Sequence, residues 1–181
     1  MTSLGMVVGV DGSASSKAAV RWAAEEAHSR NLPLSVVMVL APIAPVGGPW
    51  PDVAVPEDYE DLQQSEAQEI VDAALQTAAH TAEGQPLQVV GKVVLGPVVA
   101  NLVDMSKRAE MMVVGCRGQG GVSRALLGSV SSGLVHHAHC PVAVIHAEEL
   151  PSAQAPVVVG IDGSTTSDLA TAIAFDQASR R

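Results

Sequence analysis

MMVVGCRG, residues 111–118, and GSVSS, residues 128–132, lie on either side of a glycine-rich loop. The first segment is an apolar run that predicts a buried strand, and the second is suited to begin a helix. Together they give the pattern Gly115-x2-Gly118-x9-Gly128-Ser129. Glycines let backbone N–H groups approach an anion closely, and a helix N-terminus adds donors and a favourable dipole. A strand that leads through such a loop into a helix therefore predicts a phosphate site, and hence a nucleotide-binding domain.

Length and composition narrow the class of protein. The 181 residues suffice for one ordinary domain with some excess, and 48% are hydrophobic although only 2% are aromatic. A core built from Val, Ala, Leu, Ile and Met suits parallel strands that are covered by helices on both faces. The net charge of −9 disfavours non-specific binding to nucleic acid, which needs a basic surface. Any bound phosphate must therefore be held by local amides and a few local arginines.

The N-terminus and the cysteines bear on the cellular compartment. Residues 1–4 lack a basic region followed by a long apolar stretch, and no window reaches 18 uninterrupted apolar residues. Cys116 and Cys140 do not form a disulfide framework. We therefore expect a cytoplasmic protein with neither a signal peptide nor a membrane span.

Hydrophobic patterns alternate between strand and helix along the chain. Strands are predicted at 6–10, 34–41, 87–95, 111–115 and 141–145, and helices at 16–29, 58–83, 98–109 and 129–138. This order predicts an α/β fold with a doubly wound, five-stranded parallel sheet and helices on both faces. Ligands of such sheets bind at the carboxyl ends of the strands, which here are Asp11, Ala41-Pro42, Gly96 and Gly115.

A second copy of the first strand and helix follows the predicted domain. Residues 158–167 repeat residues 7–16 at an offset of 151, with seven of the ten positions identical. We therefore expect one complete domain at 1–147, a linker at 148–156, and the first strand and helix of a truncated second domain at 157–181. Whether the truncation is natural is left open.

The sequence resembles the universal stress protein (UspA-type) family, in particular its tandem mycobacterial members. The resemblance covers residues 5–147 as one domain and 157–181 as the opening of a second. It is carried by four motifs: VVGVDGS at 7–13, VVGCRG at 113–118, LGSVS at 127–131 and CPVAVI at 140–145. The Gly-x2-Gly-x9-Gly-[Ser/Thr] element marks the ATP-binding branch of that family, whose fold is Rossmann-like and related to the adenine nucleotide alpha hydrolases.

The resemblance implies a set of ligand-binding residues. ATP, with or without Mg²⁺, is the expected ligand, with Asp11 near the ribose and phosphates and the end of the second strand at the adenine edge. The implied binding residues are Gly9, Val10, Asp11, Val39, Ala41, Val94, Gly115, Arg117, Gly118, Gly128, Ser129, Val130 and Ser131. Family members also pair through the last strand, so the resemblance implies a homodimer formed through Val142–Ile145.

Three functions remain open. The first is an ATP-binding regulator of a stress or dormancy response that acts through conformational change or through protein partners, which the sequence does not identify. The second is a slow ATP hydrolase, although the Walker pattern Gly-x4-Gly-Lys-[Ser/Thr] is absent. The third is a nucleotide-free dimerisation or interaction module. We expect the first and assign no catalytic residue.

Three further features of the sequence can be interpreted without a catalytic or metal-binding function. His136, His137 and His139 lie near a predicted helix end, where histidines interact well with the carbonyl dipole, so we expect no metal. Cys116 is expected to be a small buried residue, with redox sensitivity as the alternative. The proline-rich segment 42–56, which contains Trp50, is a candidate lid or partner surface.

Overall fold

A computed structural model describes residues 3–42, 59–82, 86–118, 127–146, 152 and 155–180. The candidate lid with Trp50 lies outside the described residues, apart from Pro42 at the start of that segment. The elements in chain order are β1 (Met6–Gly9), α1 (Ala14–Ser29), β2 (Leu34–Leu40), α2 (Tyr59–Thr81), β3 (Val89–Leu95), α3 (Val98–Ser106), β4 (Met111–Gly115), α4 (Ser129–His137), β5 (Val142–Ile145) and α5 (Thr165–Ser179).

The five strands form one parallel sheet in the order β3-β2-β1-β4-β5. The chain starts in the middle with β1, builds β2 and β3 on one side, and then crosses to β4 and β5 on the other. The topological switch point therefore lies between the carboxyl ends of β1 and β4. This arrangement confirms the predicted doubly wound α/β fold.

Two apolar layers cover the sheet. On one face, α1 and α2 pack over residues such as Met6, Val8 and Val36. On the other face, α3 and α4 pack over Val7 and Met112. Alternate residues of a strand point to opposite faces, so β1 supplies both layers and is buried on both sides. The near-continuous apolar runs in the sequence follow from this burial.

Several predicted boundaries differ from the structure by one to three residues. Helix α1 begins at Ala14, not Ser16, because Ser13 is the N-cap and its side chain accepts the Ser16 N–H. Helix α3 ends at Ser106, not Ala109. Strand β3 begins at Val89, not Leu87, and Val89 pairs with Leu34, the first residue of β2. Leu87 and Ala109 nevertheless pack against the core from just outside these elements.

The chain divides into two compact units, Met1–Glu148 and Glu149–Arg181. In the second unit, Asp162 accepts the Ser164 N–H at 2.9 Å and Ser164 caps α5 through the Ser167 N–H at 3.2 Å. Hydrogen bonds from Ser164 lower the pKa of Asp162. The predicted strand before this turn is not formed, because a strand needs a hydrogen-bonded neighbour and the described residues of this unit contain no other strand.

Within the described ranges, no helix combines the length and the hydropathy needed to cross a bilayer.

Candidate functional site

A cavity of about 530 Å³ lies at the switch point, on the face of the sheet that α3 and α4 cover. Strands β1, β2 and β4 supply its floor, and the loop residues Arg117 and Gly118 and the start of α4 form one wall. Its described lining consists of Gly9, Val10, Asp11, Ser16, Val37, Met38, Val39, Val98, Leu102, Val114, Gly115, Arg117, Gly118, Leu127, Gly128, Ser129, Val130 and Ser131.

The cavity brings together all but two of the binding residues that the sequence predicted. The exceptions are Ala41, which is exposed beyond the end of β2, and Val94, which pairs with Val39 in the β2–β3 ladder. Whether any of the assembled residues contacts a ligand stays a prediction. Their common location follows from the parallel sheet, whose strands all end at this edge.

The β1–α1 turn presents Asp11 at the cavity. The carboxylate accepts the Ser13 N–H at 3.0 Å and the Ser13 hydroxyl at 2.6 Å. Gly12 has φ +81°, a left-handed conformation that favours glycine and closes the turn. Asp11 therefore stabilises the turn, because its Oδ1 atom accepts both hydrogen bonds from Ser13. Any contact with a ligand would be additional.

Neighbouring atoms leave no room for a side chain at Gly115 or Gly118. A Cβ atom on residue 115 would lie 2.5 Å from the Ser15 Oγ and 2.8 Å from the Ser15 carbonyl carbon. A Cβ atom on residue 118 would collide with the Asp11 carboxylate oxygen Oδ2. Within the Gly-x2-Gly motif, Gly115 thus packs against the first turn of α1 and Gly118 against the β1–α1 turn.

The carbonyl of Cys116 closes the loop. It accepts the Gly128 N–H at 2.7 Å and the Ser131 hydroxyl at 3.1 Å. Ser131 is buried, and its hydroxyl also lies 3.1 Å from the Gly128 carbonyl. This side chain, which the sequence placed on the ribose or phosphates, therefore donates to the protein backbone and helps to shape the site.

Two helices begin at the cavity without a side-chain cap. The N-caps of α3 and α4 are Pro97 and Gly128, and neither makes a side-chain cap hydrogen bond. The first residues of both helices, Val98 and Ser129, line the cavity. Because helix N-termini carry partial positive charge, this wall favours an anion.

The sequence did not indicate the apolar part of the lining. Val98 and Leu102 of α3, together with Val37 and Met38 of β2, line the cavity, but they resemble ordinary core residues in the sequence. Val98 and Leu102 reach the switch point because α3 packs across β1 and β2. They provide the surface against which a flat apolar group can lie.

A second cavity, of about 540 Å³, lies on the opposite face, between α1 and α2. It shares Val10, Asp11, Ser16 and Met38 with the first, but its described lining includes neither the glycine loop nor the start of α4. The first cavity therefore fits an anionic ligand better, although the two are of similar size.

The other sequence candidates lie outside the cavity or are buried. His136 makes a 2.7 Å contact from Nδ1 to the Ser132 carbonyl, and the described residues contain no cluster of three or more potential metal-binding side chains. The Cys116 side chain is buried. Burial raises the pKa of the Cys140 thiol, and the nearby Glu110 carboxylate raises it further.

Fold and cavity together define a doubly wound α/β domain in which the glycines of a Gly-x2-Gly motif line a cavity at the switch point. Residues 5–146 match the profile of the Universal stress protein family. The chain belongs to this family.

The curated relatives include Universal stress protein Rv2623 of Mycobacterium tuberculosis strain H37Rv, which is 47% identical over 184 residues. The match covers 99% of this chain but 61% of that protein. The chain therefore spans about three fifths of the length of the relatives that it matches.

Solved structures share the fold. The universal stress protein from Archaeoglobus fulgidus, in complex with dAMP, is 26% identical with a TM-score of 0.56, over 80% of this chain and 99% of that one. An Arabidopsis thaliana universal stress family protein with AMP bound is 24% identical with a TM-score of 0.54, over 82% of this chain and 95% of that one.

Proposed function

We propose that the switch-point cavity binds an adenine nucleotide, with ATP as the ligand, and that occupancy regulates the protein. The observation that carries the proposal is the assembly, around one cavity, of the glycine loop, two helix N-termini without side-chain caps, and an apolar floor. Loop and helix ends suit phosphate, and the floor suits a base. The dAMP complex of the Archaeoglobus fulgidus protein supports the choice of adenine.

Mg²⁺ fits the site only as a companion of the phosphates. Asp11 is the one carboxylate among the described lining residues, and Mg²⁺ in proteins is commonly held by one or two carboxylates together with substrate phosphates. Asp11 would hold the ion as its carboxylate ligand. The ion would neutralise phosphate charge beside the carboxylate.

Regulation is the proposed role in preference to catalysis. A hydrolase needs a group that positions or deprotonates water and a cation at the terminal phosphate. In the described lining, Asp11 and Arg117 are the charged side chains. Asp11 already accepts from Ser13 and would hold the ion, and the described lining contains no second carboxylate to act as a base. Any ATP hydrolysis is expected to be slow, below about one turnover per minute where typical enzymes reach about ten per second.

The nucleotide content of the purified protein tests this function. Wild type, Gly118→Asp and Gly160→Asp would each be denatured, and the released small molecules identified by chromatography and mass spectrometry. Gly160 is the matched control, because a Cβ atom there meets nothing within 4 Å while the added charge is the same. Adenine nucleotide released by wild type and Gly160→Asp, but not by Gly118→Asp, is the expected result. Wild type that neither carries nor binds added ATP would instead indicate an interaction module.

We further propose that the first unit forms a homodimer through β5, and that residues 157–181 begin a second universal stress domain. β5 lies at one end of the sheet order, with β4 as its partner among the described strands. An exposed edge of this kind is a template for pairing with another strand. The second-domain proposal is supported by the sequence repeat and by the greater length of the relatives.

A further inference from the structure

The Arg117 carbonyl is held by a serine of α1. Ser15 donates a hydrogen bond to this oxygen, and the Ser13 hydroxyl lies 3.3 Å from it. Ser13 has one hydroxyl proton, and its contact with the Asp11 carboxylate at 2.6 Å is shorter and charge-assisted. The proton of Ser13 therefore goes to Asp11, which leaves Ser15 as the donor to the Arg117 carbonyl.

Fixing this carbonyl also fixes an amide. In a planar trans peptide, the C=O of one residue and the N–H of the next point in opposite directions. The Arg117 C=O points to Ser15, so the Gly118 N–H points away from Ser15. Arg117 and Gly118 line the switch-point cavity, whereas Ser15 is not among its described lining residues. The Gly118 N–H therefore points away from Ser15, and the peptide that carries it lines the cavity.

We propose that Ser15 is a positioning residue, which holds the Arg117–Gly118 peptide so that the Gly118 N–H donates to the phosphate of the bound nucleotide. The inference rests on the proposed function. Ser15 acts through the peptide and does not contact the ligand. The close contact of Gly115 with Ser15 also supports this positioning, because it keeps α1 within hydrogen-bond reach of the Arg117 carbonyl.

The second unit offers a matched control. Thr166 occupies the position equivalent to Ser15 at the same offset of 151, after a turn whose glycine has the same φ of +81°. No counterpart of the Arg117–Gly118 loop follows it in the sequence. Its threonine also indicates that a β-branched hydroxyl residue fits this position of the helix. Ser15→Thr is therefore the conservative variant, and Thr166→Ala is the control for loss of a hydroxyl.

Affinities for AMP and adenosine, measured by calorimetry, separate positioning from general stability. Ser15→Ala is expected to weaken AMP binding about tenfold, because the Gly118 N–H loses its alignment with the charged phosphate. Adenosine, which has no phosphate, should bind as before. Ser15→Thr and Thr166→Ala should keep the wild-type ratio of the two affinities. Ala is a good helix former, so Ser15→Ala should fold, and its melting temperature would be recorded in parallel.

Three outcomes decide the matter. Ser15→Ala with an unchanged AMP-to-adenosine ratio would overturn the positioning role while leaving nucleotide binding intact. Should wild type bind neither compound, the Gly118 amide would be followed by NMR during titration with inorganic phosphate. A shift seen in wild type and lost in Ser15→Ala would support the positioning role and refute nucleotide binding, whereas no shift in wild type would refute both.

Discussion

Gly115 lies directly against Ser15, and a Cβ atom on residue 115 would come within 2.9 Å of three Ser15 atoms. One of those atoms is the Ser15 carbonyl carbon, which belongs to the backbone and cannot rotate away. The first glycine of the loop is therefore required by the packing of α1 on the end of β4. This requirement is separate from any approach of the backbone to a ligand.

Gly115→Ala is accordingly expected to destabilise the first unit by about 1–3 kcal/mol, the usual cost of overpacking. The helix or the loop must move to accept the methyl group. Chemical denaturation would measure the change in the free energy of unfolding. Gly160→Ala, at a glycine with open space around it, is the control and should cost less than about 1 kcal/mol. Equal stabilities of the two variants would contradict the packing argument.

Asp11→Asn is expected to change nucleotide affinity in opposite directions with and without Mg²⁺. The asparagine oxygen can still accept the Ser13 N–H, so the turn should persist. Without Mg²⁺, removal of a negative charge beside the phosphates should strengthen ATP binding by up to about tenfold. With Mg²⁺, the loss of a carboxylate ligand should weaken it by a similar factor.

Calorimetric titrations with ATP, in EDTA and in excess MgCl₂, would test this reversal. Weaker binding under both conditions would indicate that the carboxylate serves the turn and not the ion.

Val144→Pro is expected to convert the proposed dimer into a monomer without unfolding the sheet. The carbonyls of Pro141 and Ile145 accept the Met112 and Cys116 N–H groups at 2.9 Å, so alternate residues of β5 face β4. By the same alternation, Val142 and Val144 direct their N–H and C=O groups to the open edge. Proline at 144 removes a donor from that edge only, and proline is tolerated on edge strands.

Light scattering would report the mass, and circular dichroism would report the fold. Ala143→Pro is the contrasting variant, because residue 143 faces β4 and its replacement should destabilise the sheet itself. A wild type with the mass of a monomer at micromolar concentration would refute the dimer.

Cys140 is expected to resist alkylation at neutral pH. Burial raises the pKa of its thiol, so the reactive thiolate is scarcer than in an unfolded peptide at the same pH. Its reaction with iodoacetamide, followed by mass spectrometry, should increase only at more alkaline pH than that of a model thiol. Because the folded state disfavours the thiolate, stability should also fall as pH rises above the ordinary thiol pKa, and Cys140→Ser should remove that slope.

Rapid alkylation of Cys140 at neutral pH would contradict this prediction. Cys116, which is buried, serves as the internal comparison and should also react slowly.

The fold could be predicted from the sequence because each strand is a short apolar run that is bounded by turn residues. β1 and β4 show this best, since they are buried on both faces and their runs need no alternation. The order of the strands in the sheet was harder to predict from the sequence. The pairing of β1 with both β2 and β4 depends on how the helices are divided between the two faces, and no single segment encodes that division.

The lining of the cavity could be predicted at the strand ends and at the start of α4, which follows the glycine loop, but not where α1 and α3 contribute. Asp11 and Gly118 stand out because the residue types at strand ends are unusual. Leu102 and Ser15 do not, because a leucine in an amphipathic helix and a serine in a first turn have ordinary explanations. Ala41 was predicted from its place at the end of β2, but the strand ends at Leu40 and Ala41 is exposed.

The backbone of Cys116 takes part both in strand pairing and in the closure of the loop. Its N–H is the last rung between β4 and β5, bonded to the Ile145 carbonyl, and its C=O is the anchor on which Gly128 and Ser131 close the loop. A slip of β5 by one residue along its own axis would therefore displace the residue on which the loop depends. The pairing of β4 with β5 and the closure of the loop therefore depend on the same stretch of backbone, and a shift of either is expected to disturb the other.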